Sequence, residues 1–138
     1  VVIRYTEPTL PQAGAVRPQP GEQWIITGGA RGITACVARE LAARYGVELN
    51  IFGSTALQES DARWLTASEA ELKAHKSELM LAAKSRGEDA LAARKALENR
   101  LEIAKSLQLL RAAGISAQYF VCDVTDWNAV DSALATVR

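Results

Sequence analysis

The residues best suited to chemistry lie in one short stretch, Thr27-Gly28-Gly29-Ala30-Arg31-Gly32-Ile33. Gly28, Gly29 and Gly32 provide backbone that can turn sharply and leaves no side chain between its amides and a ligand. If a helix opens at Gly32, its first N–H groups have no partner within the helix, and the positive end of the helix dipole lies beside them. A pyrophosphate placed there would satisfy both, so the chemistry expected of this stretch is the binding of a nucleotide phosphate. The plain alternative is that the glycines only let a helix pack closely on a strand. A Walker-type loop fits less well, because Ile33-Thr34 stand where Gly-Lys-Ser/Thr would be required.

The phosphate reading demands a strand before the turn and a helix after it. Gln23-Trp24-Ile25-Ile26-Thr27 is a short apolar run bounded by glycines, as expected of a buried parallel strand. From Gly32 to Tyr45, Ile33, Val37 and Leu41 recur at helical spacing with Ala38 and Ala42 beside them. This predicts an amphipathic helix with that face inward and Gly46 as its C-cap. Residues 47–52 read as a second strand, completing a β-α-β unit. Residues 117–122 read as a third. A helix follows, with Val130, Leu134 and Val137 on one face and Thr125 or Asp126 as its N-cap. The expected fold class is α/β with a parallel sheet.

About sixty residues separate the second and third strands, whereas an ordinary crossover needs roughly twenty to thirty. Ser68-Glu69-Ala70-Glu71 has capping-box spacing and opens a helix with Leu72 and Leu79 inward; Arg86-Gly87-Glu88 reads as a break. Leu97, Leu101, Ala104 and Leu107, with Ile103 and Leu110 beside them, then define a long helix ending at Gly114. The pattern predicts a helical hairpin inserted after the second strand, near residues 60–105, whose second arm runs on into the crossover helix. Its many charged residues read as a solvated face. The alternative is an interaction or dimerisation element, whose sign would be an exposed apolar stripe around Leu72, Leu79 and Met80.

The chain has 138 residues, 49% of them hydrophobic, with 16 basic residues balancing 16 acidic ones. That composition suits one soluble unit with a moderate core, and it lacks the basic excess expected of a nucleic-acid binder. No apolar run is long enough to span a membrane, and Val1-Val2-Ile3-Arg4 does not open a signal peptide, so a cytoplasmic setting is expected. Pro8, Pro11, Pro18 and Pro20 mark residues 1–21 as an extended linker ahead of a compact unit over residues 22–138. The missing initial Met and a last helix still open at Arg138 suggest an excerpt from a longer chain. Cys36 and Cys122 have no metal-ligand spacing and read as two buried thiols. His75 is expected to be an exposed helix residue, and Trp24, Trp64 and Trp127 are expected to be packing anchors.

Thr27-Gly28-x-x-x-Gly32-Ile33-Thr34, the strand end Ile51-Phe52-Gly53-Ser54-Thr55 and Cys122-Asp123-Val124-Thr125-Asp126 together resemble the first half of a short-chain dehydrogenase/reductase. More narrowly, they resemble the ketoreductase domain of a modular polyketide or polyunsaturated-fatty-acid synthase. The resemblance runs from about Gln23 to Arg138, apart from the helical insertion. It implies a Rossmann-like doubly wound parallel sheet, of which this chain would supply the amino-terminal half with about three strands. It also implies a dinucleotide cofactor, with Gly28, Arg31, Gly32 and Ile33 lining the pyrophosphate and its approach. Asp123 and Val124 would then flank the adenine; the alternative for Asp123 is a local bond to neighbouring backbone N–H groups.

NAD enzymes place an acidic residue at the end of the second strand, whereas NADP enzymes accommodate a 2′-phosphate with basic residues. Gly53 and Ser54 are not acidic. Arg31 could reach that phosphate, with Ser54 and Thr55 adding hydroxyl donors, so NADPH is the expected cofactor. The family commonly has Arg where Ser54 stands, and Arg31 has the alternative of being a surface charge. The implied reaction is hydride delivery to a β-keto thioester carried on an acyl carrier protein beside other synthase domains, with a Tyr and a Ser assisting. Tyr5, Tyr45 and Tyr119 are followed at the fourth position by Thr9, Leu49 and Asp123, so no Tyr-x-x-x-Lys or Tyr-x-x-x-Asn pair is present. No catalytic residue is therefore assigned, and the chain alone is expected to be inactive. The other reading is a non-catalytic Rossmann module bracing a neighbouring domain. Half a doubly wound sheet would leave an open edge and an incomplete helix layer, so the expectation is either a homodimer or a chain of only marginal stability.

Overall fold

The computed structural model describes residues 17–28 and 30–137. Most of the proline-rich stretch, and Gly29, therefore lie outside the described residues. The elements run β1 (Gln23–Thr27), α1 (Gly32–Tyr45), β2 (Glu48–Gly53), α2 (Asp61–Trp64), α3 (Glu69–Ser85), α4 (Ala90–Ala112), β3 (Ala117–Val121) and α5 (Trp127–Val137). The chain is α/β, and its three strands form one parallel sheet in the order β1-β2-β3.

Register explains which helix covers which face. Trp24, Leu49 and Ala117 stand side by side across the sheet, as do Ile26, Ile51 and Tyr119. Because side chains alternate along a strand, these six share one face. That face carries the larger core, in which Leu49 and Ile51 meet Ala38 and Ala42 of α1 and Ile103, Leu107 and Leu110 of α4. Phe52 and Phe120 occupy the opposite face, with their rings edge-on at 5.5 Å. There Phe52, Cys122 and Ala133 form a smaller core, joined by Val130, Leu134 and Val137 of α5. Helices thus lie on both faces of the sheet.

The ends of the elements follow from local chemistry. Gly46 closes α1 in the left-handed region at φ 69°, and its N–H donates to the Ala42 carbonyl. Ser68 and Glu71 make the reciprocal capping box of α3. The Asp89 carboxylate accepts from the first amides of α4, and Asp126, rather than Thr125, caps α5 through Asn128 N at 2.9 Å. α3 and α4 pack against each other, with Lys76 Nζ 3.0 Å from Glu98 Oε1. The four-residue α2 is pinned to α4 by a buried ion pair, Arg100 Nε to Asp61 Oδ1 at 3.1 Å.

Several expectations are corrected. β1 is parallel but not buried: it is an edge strand, α5 covers the β2–β3 side instead, and Ile25 is 45% exposed. On α1 the inward stripe is Ala38 and Ala42, while Ile33 and Val37 are 84% and 50% exposed. Short connections on both sides hold α1 close to the sheet, so its small residues face the sheet and the branched ones turn outward. Cys36, two residues before Ala38 and so on the far side of the helix, is exposed; only Cys122 is a buried thiol. His75 is half-buried because its ring stacks on Trp64 at 3.9 Å, and Trp127 is 79% exposed rather than an anchor. Leu72, Leu79 and Met80 are half-buried, so they form no exposed stripe.

Candidate functional site

The turn between β1 and α1 is built by its glycines. Gly28 has φ 91° and Gly32 φ 55°, values that side-chain-bearing residues rarely adopt. Crowding is not the reason for glycine at either position. A Cβ on Gly32 would meet nothing within 4 Å, and one on Gly28 would meet only Thr34 Oγ1 at 3.9 Å. The backbone therefore requires glycine for its dihedrals and not for want of room for a side chain.

Beyond the carboxyl ends of the three strands lies a cleft of about 170 Å³. It gathers Gly28 and Arg31 from the turn, Gly53, Ser54 and Thr55 from the end of β2, and Asp123 and Val124 from the end of β3, with Phe52, Ile103 and Cys122 completing its walls. Six residues singled out from sequence, Gly28, Arg31, Ser54, Thr55, Asp123 and Val124, thus share one depression. Thr27 ends β1 just before it. Gly32 and Ile33 instead border a neighbouring groove of about 530 Å³ between α1 and α4, shared with Cys36, Arg39, Glu102 and Leu109. Gly29 lies outside the described residues.

Tyr119, read from sequence as a strand residue and as a tyrosine without the Tyr-x-x-x-Lys or Tyr-x-x-x-Asn pairing, packs against the end of β2. Its hydroxyl donates to the Thr55 carbonyl at 2.9 Å. Burial pushes this phenol above its ordinary range, and the nearby positive charge of Arg31 opposes the shift. A Cβ at Gly53 would lie 2.6 Å from the Tyr119 hydroxyl. The absence of a side chain at Gly53 therefore has a packing cause.

At the β3 side, Asp123 Oδ1 accepts from Thr125 N at 2.9 Å and from Thr125 Oγ1 at 2.8 Å. These bonds hold its carboxyl below the ordinary carboxylate range. The local turn anticipated as the alternative for Asp123 is thus present, and it places the carboxylate at the cleft rim.

A further residue escaped the sequence reading altogether. Glu102 Oε1, on α4, accepts from Gly32 N at 2.9 Å, across 70 positions of sequence. Helical periodicity shows only that Glu102 neighbours the inward Ile103, and nothing in the spacing could place it against the glycine turn.

The donors fit a phosphate-bearing ligand: open glycines, a 14-residue helix starting at the turn, and a cationic side chain beside hydroxyls. Among the described residues no group of three or more His, Cys, Asp or Glu side chains could hold a metal ion. Within the same residues no helix is long and apolar enough to cross a membrane. Comparison with protein-family models, with curated proteins and with solved structures returned no match.

Proposed function

We propose that this chain is the NADPH-binding portion of a β-ketoacyl thioester reductase domain of the short-chain dehydrogenase/reductase type, within a multidomain polyketide or fatty-acid-type synthase. The observation that carries the cofactor half of this reading is the convergence of Gly28, Arg31, Ser54, Thr55, Asp123 and Val124 in one cleft at the carboxyl ends of parallel strands. The strand order and the helices on both faces are compatible with the amino-terminal half of a Rossmann-like doubly wound sheet. On this reading α3 and the first part of α4 are the insertion, and the rest of α4 is the crossover helix. The ketoreductase assignment itself rests on the motif resemblance.

The residues divide the work of holding the cofactor. Gly28, Gly32 and Ile33 present backbone amides to the pyrophosphate, and the lack of a side chain at Gly28 and Gly32 lets it approach. Arg31 neutralises a 2′-phosphate while Ser54 and Thr55 donate hydroxyl bonds to it. Asp123 and Val124 border the adenine. When bound, the cofactor supplies a hydride for a β-keto thioester presented on a carrier protein. This chain positions the cofactor and has no Tyr-x-x-x-Lys or Tyr-x-x-x-Asn pair to move the proton, so by itself it binds without reducing a ketone. The setting proposed is cytoplasmic.

The decisive experiment is titration of NADPH and NADH into the wild-type chain, Gly32→Trp and Arg31→Ala, with circular dichroism to check folding. NADPH binding that is lost in Gly32→Trp, and whose preference over NADH falls in Arg31→Ala, supports the reading; equal binding by wild type and Gly32→Trp overturns it. A second reading, a non-catalytic module bracing a neighbouring domain or a second copy, draws on the exposed Ile33 and Val37 of α1 and, separately, on the edge position of β1. Absence of any nucleotide binding by a folded chain would favour it.

A further inference from the structure

Helix α1 has no anion of its own at its amino end. Its N-cap, Arg31, makes no side-chain hydrogen bond to the helix, and the first turn contains no acidic residue. α3, α4 and α5, by contrast, each begin at a local acceptor: Ser68, Asp89 and Asp126. What α1 has is the Glu102 carboxylate, brought from α4 to within 2.9 Å of Gly32 N. The contact is solvent-exposed, yet the next residue, Ile103, is 1% exposed and locked in the core. The helix backbone is therefore held while the Glu102 side chain remains able to rotate.

A carboxylate at this position is the chemical equivalent of a phosphate oxygen: anionic, acceptor-only and seated at the positive end of the helix dipole. The Gly32 amide has a single proton to donate, and two anions converging on it repel each other. We propose that Glu102 is an internal anion that occupies the α1 amino terminus in the ligand-free chain and competes with nucleotide phosphate for it. The proposal rests on the phosphate-binding reading of the glycine turn and adds a built-in brake on that site. Binding then requires the carboxylate to swing aside. Arg39 borders the same groove as Gly32 and Glu102 and offers the displaced group a cation.

The test is calorimetric titration of NADPH and of ADP into the wild-type chain, Glu102→Gln and Glu102→Ala, with Gln108→Ala as an exposed control on the same helix. Removing the charge is expected to tighten binding by roughly three- to tenfold, the scale of one charge at a helix end. The control is expected to bind as wild type does. The amide resonance of Gly32 is expected to shift in both Glu102 variants without ligand. Binding by the variants where wild type shows none would also support the brake. Affinities equal to wild type in both Glu102 variants, with Gly32→Trp still abolishing binding, overturn the brake alone. No binding by any folded form overturns the brake together with the phosphate site.

Discussion

Tyr119 fills the space that a side chain on Gly53 would need: its hydroxyl, bonded to the Thr55 carbonyl, lies 2.6 Å from where that Cβ would stand. The end of β2 is therefore shaped by β3, its neighbour in the sheet. Gly53→Ala is expected to destabilise the fold by about 1–3 kcal/mol through overpacking. Tyr119→Phe removes the closest of the clashing atoms at the loss of one hydrogen bond, about 1 kcal/mol. The double variant should lose less than the sum of the two, because the sites share one contact. Denaturant midpoints of the four proteins measure this coupling, and strict additivity would argue against it.

The ion pair between Asp61 and Arg100 is the most buried charge contact among the described residues, with side chains 2% and 16% exposed. Asp61 also accepts from Gln58 N at 2.8 Å, so its carboxylate anchors the chain between β2 and α3 onto α4. Arg100→Ala strands that carboxylate and is expected to cost about 3 kcal/mol or more. Replacing both with apolar residues of similar volume should cost far less. Thermal unfolding of the single and double variants distinguishes the two outcomes.

The capping box at α3 carries a pH dependence of known sign. The Ser68 hydroxyl and backbone N–H, donating to Glu71, hold its carboxyl below the ordinary carboxylate range. Its contribution is therefore present above the unfolded-state pKa and is lost as pH falls through the lower folded value. Helical signal followed by circular dichroism across the acid range should show this loss, and Glu71→Gln should lack that component.

The two cysteines should differ in reactivity. Cys36 is exposed on α1, while Cys122 is buried beneath α5. A thiol-specific reagent should label one site rapidly in the native chain and the second only after unfolding. Cys36→Ser should remove the rapid phase. Two rapid thiols would contradict the packing of α5 on the sheet.

Sequence alone determined the longer elements and their order, because each is decided by neighbours in the chain, whereas the four-residue α2 was not legible in it. Short apolar runs mark the strands, Gly46 and the Ser68–Glu71 box end or begin helices, and Gly28 and Gly32 mark the turn. The gathering of Gly28, Arg31, Ser54, Thr55, Asp123 and Val124 was legible in part for the same reason, since all lie at or near the carboxyl ends of strands that must be parallel. Tertiary structure decided what depends on contacts between distant positions. It buried Ala38 and Ala42 but left Ile33 and Val37 of the expected inward face exposed, because packing against the sheet and not hydrophobicity selects that stripe. It gave Gly53 a reason in Tyr119, and it carried the Glu102 carboxylate to the amide of Gly32, where an anion from another helix meets the positive end of α1.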